Sequence, residues 1–110
     1  MLTVTVQDKY ATALSTLGNL QTAVDQAVQR YTIEQIVDKV AQLRHKAVGY
    51  ETKYGMTYPT FAERTALDEG FVQTVEATIS PLWEVDLVDW EFCVKGIEDW
   101  THTLQTLLLT

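Results

Sequence analysis

The chain has 110 residues, of which 46% are hydrophobic, and its formal net charge is −7. This length fits one domain with a modest core, and the hydrophobic fraction argues against disorder. The single cysteine, Cys93, excludes an intramolecular disulfide and a cysteine-based zinc cluster. Neither an apolar run of about 18 residues nor a leader segment is evident, so we expect a cytoplasmic protein with no membrane partner.

The two halves of the chain differ in charge. Residues 1–50 contain five basic and four acidic residues, whereas residues 51–110 contain three basic and eleven acidic residues. An acidic protein is not expected to bind nucleic acid over its whole surface. The acidic half predicts a basic partner, and the alternative is a solvated acidic surface that aids solubility.

Residues 2–7 alternate apolar and polar side chains, a pattern typical of a short strand with one buried face. The apolar side chains of this strand would face inward and its polar side chains outward. The outward side chains would be Thr3, Thr5 and Gln7.

Two helices are predicted after the strand. Asp8 is placed to cap a short helix that ends before Asn19, and Asn19 is placed to cap a second helix. The apolar stripe of the second helix changes phase between Tyr31 and Ile33. Either the helix breaks at Thr32, or one continuous helix presents two stripes on different sides.

Residues 2–31, LTVTVQDKYATALSTLGNLQTAVDQAVQRY, resemble the ribbon-helix-helix family of dimeric DNA-binding proteins in their order of strand, short helix, Gly-Asn turn and second helix. The resemblance implies that two copies pair their strands and that Thr3, Thr5 and Gln7 contact base edges in the major groove. It also implies that backbone amides around Leu20 and Gln21 hold a DNA phosphate.

The sequence departs from that family in its charge. The family usually has a lysine or arginine on or beside the ribbon, whereas the nearest cation here is Lys9, which follows Asp8. Neutralisation of phosphates supplies much of the affinity for DNA. The alternative is therefore a strand that pairs within a helical dimer and does not touch DNA.

Residues 33–54 place apolar side chains at alternating spacings of 3 and 4, which predicts a helix with one continuous apolar stripe. Thr32 and Gln35 fit a capping box at its start, and Gly55 is placed to end it in the left-handed conformation. Gly49, inside the helix, indicates either a bend or the close approach of another backbone.

A sharp corner is predicted next, with Thr57 as the cap of a short helix over residues 58–66. Residues 71–79 fit another short helix, and a strand is the alternative for them.

The last predicted element is a long acidic helix. Ser80 and Pro81 are placed as its N-cap and first residue. Its apolar stripe runs from Trp83 to Leu108 at alternating spacings of 4 and 3, and acidic residues occupy other positions.

These patterns predict a mainly α fold in which a short N-terminal strand precedes long amphipathic helices that form an antiparallel helical hairpin, and we expect a homodimer. The predicted division is a strand-helix-helix segment over 1–31 and a hairpin with an acidic C-terminal helix over 32–110, with one compact domain as the alternative. The residues expected to pack the helices or the dimer are Ile36, Val40, Leu43, Tyr50, Tyr54, Leu87, Trp90, Val94 and Ile97.

No pattern indicates an active site. Cys93 has no nearby histidine and is expected to fill the core, and His45 and His102 lack a second ligand at helical spacing. Nucleotide-hydrolysing enzymes of the carboxylate type need acidic sets on facing helices, and the final helix offers only one poorly aligned set. We therefore expect no enzymatic activity, no metal and no cofactor.

Trp100 lies off the main apolar stripe of the final helix. Exposed tryptophans often anchor protein interfaces. With its neighbours Glu98 and Asp99, it is the predicted contact for a protein partner.

The overall plan resembles that of small bacterial antitoxins, in which a dimerising first part binds operator DNA and an acidic second part wraps a basic toxin. The later stretches KYGMTYPTF and VDWEF are also similar to small prokaryotic proteins that are antitoxin-like. The resemblance implies a non-enzymatic regulatory or neutralising module that binds a basic protein encoded nearby, with operator DNA as a further candidate ligand. The alternative is a helical scaffold or adaptor subunit with no nucleic-acid role.

Overall fold

A computed structural model describes residues 2–109 of the chain. The prediction of a mainly α fold is confirmed, since every regular element in this range is a helix. The chain forms two compact units, of which the first ends at Gln35 and the second begins at Ile36. The helices are α1 (Asp8–Ser15), α2 (Leu20–Tyr54), α3 (Tyr58–Leu67), α4 (Glu69–Thr78) and α5 (Trp83–Leu109).

The predicted N-terminal strand is wrong for the chain as described. Residues 2–7 have no regular secondary structure, and Leu2 and Val4, which were expected to face inward, are almost fully exposed. A strand requires a neighbouring strand for its backbone N–H and C=O groups. No second strand lies within residues 2–109 to provide one.

The two helical starts in the first unit follow from local capping. The carbonyl of Gln7 accepts bonds from the amides of Tyr10 and Ala11 at 3.0 Å, so Gln7, and not the predicted Asp8, is the N-cap of α1. Asn19 caps α2 as predicted, because its Oδ1 accepts a bond from the amide of Thr22 at 3.1 Å. None of the side chains in residues 2–35 is buried.

Helix α2 runs without a break through the point where its apolar stripe changes phase. The hydroxyl of Thr32 donates to the carbonyl of Val28 at 2.7 Å, one turn earlier, so the predicted capping box at Thr32 is wrong. Gly49 also lies within the helix, and a Cβ there would meet nothing within 4 Å. A close approach of another backbone is therefore not the reason for this glycine.

The corner after α2 forms as predicted. Gly55 has a φ of 71°, and its amide donates to the carbonyl of Glu51 at 2.8 Å, which ends the helix in the left-handed conformation. Thr57 is the N-cap of α3, but its side chain makes no capping hydrogen bond and instead donates to the hydroxyl of Thr60 at 3.1 Å.

Residues 71–78 belong to helix α4, so the helix and not the alternative strand is correct for them. Asp68 caps α4 by accepting a hydrogen bond from the amide of Phe71 at 3.0 Å. Helix α5 begins later than predicted. The carbonyl of Leu82 accepts the bond from the amide of Asp86 at 3.1 Å, while the hydroxyl of Ser80 accepts from the amide of Leu82 at 3.1 Å. Ser80 therefore orders the turn before α5 and is not its N-cap.

The second unit contains the predicted antiparallel hairpin of α2 and α5. Leu43 lies beside Gly96, Tyr50 bonds to Asp89, and Tyr54 bonds to Asp86, so the partners run in opposite directions along the two helices.

The core of this unit is aromatic. Phe61 and Trp90 are both fully buried, with ring centroids 5.5 Å apart, and Tyr54 lies 4.4 Å from Phe61. Because Phe61 belongs to α3, the short helix after the corner closes one end of the hairpin. None of the helices in the described part of the chain contains a stretch long and apolar enough to cross a membrane.

Candidate functional site

Helix α5 has apolar side chains on two opposite sides. One side faces the core through Trp83, Trp90 and Cys93, which are buried. The other side carries Val85, Val88 and Phe92, whose side chains are 64%, 67% and 66% exposed. These three residues, which we name the outer face, follow one another at spacings of 3 and 4 and therefore form one line along the helix.

Acidic side chains border the outer face. Glu84 and Asp99 are exposed, and Glu91 is about half exposed. The only cation of α5, Lys95, forms a salt bridge with Glu91 at 2.8 Å. Of the six acidic residues of α5, three form salt bridges with lysines, and the exposed Glu84, Glu98 and Asp99 leave the helix with a net negative charge.

A pocket of about 390 Å³ adjoins the outer face around Gly96. A Cβ at Gly96 would lie 2.8 Å from Cδ1 of Leu43, so the absence of a side chain there leaves room for the end of the Leu43 side chain. The residues that line the pocket are Lys39, Leu43, Phe92, Gly96, Asp99, Trp100 and Thr103.

Two carboxylates on the flank of α5 fix its position against α2. Asp89 accepts a hydrogen bond from the hydroxyl of Tyr50 at 2.5 Å and pairs with Lys46 at 2.9 Å. The hydrogen bond to Asp89 raises the pKa of Tyr50, and burial adds to this effect. The same hydrogen bond, together with Lys46, lowers the pKa of Asp89.

The second contact lies nearer the corner. Asp86 accepts a hydrogen bond from the hydroxyl of Tyr54 at 2.5 Å and pairs with Lys53 at 2.7 Å. Burial, followed by the bond to Asp86, raises the pKa of Tyr54 to about 12. Because Asp86 and Asp89 are engaged within the chain, the acidic groups left for a partner are those beside the outer face.

Residues with catalytic potential are not assembled into a reactive site. Cys93 is fully buried, and burial raises the pKa of its thiol, which disfavours the nucleophilic thiolate. His45 and His102 are exposed on different helices. Within residues 2–109, no group of three His, Cys, Asp or Glu side chains is arranged to hold a metal ion.

Thr3, Thr5 and Gln7, the predicted base readers, lie in the irregular segment before α1. Thr3 and Thr5 are exposed. Gln7 is also exposed and uses its carbonyl to start α1.

Of the three residues predicted to contact a partner, two line the pocket at Gly96 and one does not. Trp100 is 37% exposed, and it lines the Gly96 pocket together with Asp99. Glu98 is exposed and lies outside the lining of the pocket.

The residues predicted to pack the helices or the dimer are all buried or half-buried within the second unit. Four of them are buried: Ile36, Leu43, Tyr54 and Trp90. The other five are half-buried, namely Val40, Tyr50, Leu87, Val94 and Ile97.

Sequence reasoning missed the outer face and the role of Gly96. A signal was present, because Val85, Val88 and Phe92 form a second apolar stripe at helical spacing. The sequence analysis identified only the longer stripe that begins at Trp83. The contact between Gly96 and Leu43 has no counterpart in sequence, since it depends on how α2 and α5 pack.

Comparison with protein-family models found no match to this chain, and comparisons with curated proteins and with solved structures found none either.

Proposed function

We propose that this protein is a non-enzymatic neutralising or regulatory module of the antitoxin type. In this proposal its second unit binds a basic protein, and its first unit joins a second copy and contacts operator DNA. The observation that carries the proposal is the outer face of α5, which exposes Val85, Val88 and Phe92 on a helix with six acidic residues and one lysine.

An exposed apolar line is costly to leave in water and supports a role in protein binding. The acidic border argues for a basic partner, because opposite charges speed association and disfavour acidic competitors. The contacts of Asp86 and Asp89 with α2 support a preformed surface, since they hold α5 in place before any partner arrives.

The dimer is supported by the first unit. Residues 2–35 bury none of their side chains, although they include exposed apolar residues such as Leu17, Val28 and Tyr31. An open groove of about 970 Å³, lined in part by Leu14 and Leu17, lies between α1 and the first part of α2. A segment without a core gains stability if a second copy covers these side chains.

The DNA-binding part of the proposal rests on residues 2–7. Their backbone has no strand partner among residues 2–109, and the same segment of a second copy offers one. Pairing of the two segments would present Thr3, Thr5 and Gln7 on one side, where hydroxyls and an amide offer donors and acceptors to base edges.

The neutralising role is tested by purifying the full chain with the basic product of the neighbouring gene. We expect the two proteins to copurify as a stable complex and the basic protein to lose its activity in that complex. Failure of the two purified proteins to associate would refute the neutralising role.

The DNA-binding role is tested by fluorescence anisotropy with DNA from upstream of the gene, at about 50 and about 200 mM salt. We expect binding that weakens at the higher salt concentration. Thr5→Ala should abolish it, while Thr16→Ala, an exposed threonine of the same unit, should leave it unchanged. Absence of binding at the lower salt concentration would contradict this role.

The second candidate function is a scaffold or adaptor subunit with no nucleic-acid role. It is favoured by the scarcity of cations near residues 2–7, where Lys9 follows Asp8. It predicts an oligomer in light scattering that survives Thr3→Ala and Thr5→Ala but dissociates with Leu17→Asp. A monomeric protein would contradict both this candidate and the proposed dimer.

A further inference from the structure

We infer that the outer face of α5 and the Gly96 pocket together form one docking surface for a basic amphipathic helix. This inference rests on the proposed function and deepens it, because it assigns the binding of a basic partner to one side of one helix. It also states the chemistry of the occupant: a helix with an apolar line flanked by lysine or arginine.

The geometry suits a helix because the apolar groups are collinear. The line of Val85, Val88 and Phe92 leads directly into the pocket, since Phe92 belongs to the outer face and also lines the pocket. The distance from Val85 to Trp100 along α5 is roughly 22 Å at 1.5 Å per residue, which about four turns of a partner helix would cover. Helices that dock in this way use apolar anchors at the same spacings of three and four.

The pocket gives such a helix a place for one large apolar side chain. Gly96 contributes no side chain, and the side chains of Leu43, Phe92 and Trp100 line the pocket. Aromatic residues around a concave site are typical of the anchors that contribute most to protein interfaces. Asp99, Lys39 and Thr103 provide the polar lining of the same pocket.

The acidic residues beside the outer face favour a cationic helix as the occupant of the docking surface. Glu84 and Asp99 are exposed beside the apolar line, and Lys95, the only cation on α5, is already paired with Glu91. A second copy of α5 would bring like charges together across the interface, and an anionic lipid surface would be repelled in the same way. A cationic helix would instead place its charges against these carboxylates.

The test uses the full chain and a synthetic amphipathic helix of lysine and leucine, about 15 residues long and labelled with fluorescein. Two peptides of the same length serve as comparators: a lysine-serine peptide of equal charge and a glutamate-leucine peptide of equal apolarity. Anisotropy should show binding of the lysine-leucine peptide about tenfold tighter than that of either comparator.

Variants of the chain locate the binding. Phe92→Asp should weaken binding of the lysine-leucine peptide by about tenfold. Leu67→Asp is the matched control, because Leu67 is 78% exposed on α3 and belongs neither to the outer face nor to the lining of the pocket, and it should change binding by less than about twofold. Lys95→Glu should strengthen binding, since it removes the cation of α5 beside the outer face and adds a carboxylate there. Both aspartate variants alter exposed positions, and circular dichroism checks that each stays folded.

The outcomes separate this inference from the proposed function. Equal weakening by Phe92→Asp and Leu67→Asp, or equal binding of the lysine-serine peptide, would overturn the docking surface. A basic neighbouring protein that binds Phe92→Asp as well as the unchanged chain would also overturn it while leaving the proposed function intact.

Face-dependent binding of the peptide together with no binding of the neighbouring protein would instead refute the proposed function alone. Loss of a dimer in Phe92→Asp with unchanged peptide binding would identify a second copy as the occupant and overturn the inference.

Discussion

Replacement of Tyr54 by phenylalanine tests whether the contact between Tyr54 and Asp86 stabilises the hairpin. The change removes one hydroxyl and leaves the ring that packs on Phe61 at 4.4 Å. It also removes the hydrogen bond to Asp86, while the salt bridge of Asp86 with Lys53 at 2.7 Å is preserved. The loss of stability should therefore come from the hydroxyl and not from a cavity.

The size of the effect follows from the charge on Asp86. A hydrogen bond to a charged group contributes about 1.5–3 kcal/mol, so we expect a loss of about 2 kcal/mol in the free energy of unfolding at neutral pH. The fold also raises the pKa of Tyr54 from 10.0 to about 12, first through burial and then through the bond to Asp86. Because burial disfavours only the ionised phenolate, this shift sets the pH dependence and not the loss at neutral pH.

The pH dependence distinguishes this explanation from a general packing defect. The pKa of Tyr54 is higher in the folded than in the unfolded chain, so the stabilisation is fully present below pH 10.0 and is lost as the pH rises through about 12. The stability difference between the unchanged chain and Tyr54→Phe should therefore shrink over that interval. Other tyrosines titrate in both proteins and cancel in the difference.

The measurement is urea unfolding followed by circular dichroism at several pH values from neutral to about 12. Tyr31→Phe is the matched control, because Tyr31 is exposed, and its effect should stay within about 0.5 kcal/mol. A stability difference for Tyr54→Phe that does not change with pH would refute the reasoning, since it would show that the hydroxyl does not favour the neutral form in the folded chain.

Two further predictions concern the core and the helix caps, and urea unfolding checks both. Phe61→Ala should cost about 3–5 kcal/mol, because Phe61 is fully buried and its loss leaves a cavity among three helices; a loss below about 1 kcal/mol would contradict this core. Asp68→Ala should cost about 1 kcal/mol, because Asp68 accepts the capping bond of α4. Thr57→Ala should cost clearly less, since Thr57 occupies the same position in α3 without such a bond, and equal losses in the two variants would contradict this distinction.

The sequence by itself determined that the chain is helical, and it identified several of the residues at which helices begin or end. The apolar stripe from Trp83 predicted α5, and Asn19 and Gly55 predicted a helix start and a helix end that the structure contains. Such signals are local, because a cap or a left-handed glycine acts on its own turn. These signals can therefore be identified in the sequence without knowledge of the rest of the fold.

The continuity of α2 was not determined locally. The phase change at Thr32 allowed either a break or one long helix, and Thr32 fits a helix interior as well as a cap because its hydroxyl bonds back to Val28. The structure of residues 2–7 was likewise not determined locally. An alternating pattern indicates a tendency to form a strand, but the strand forms only where a partner strand exists.

The sequence predicted that the long apolar stripe of α5 through Trp90 is packed. Only the tertiary structure decided that the shorter stripe through Phe92 stays in solvent, because the pattern alone does not exclude a neighbouring element on that side. Trp90 is buried among Tyr50, Tyr54 and Phe61, whereas Phe92 is exposed. The physical reason is that a helix only about 10 Å wide can present one side to its neighbours at a time, so packing on the aromatic core leaves the opposite stripe in solvent.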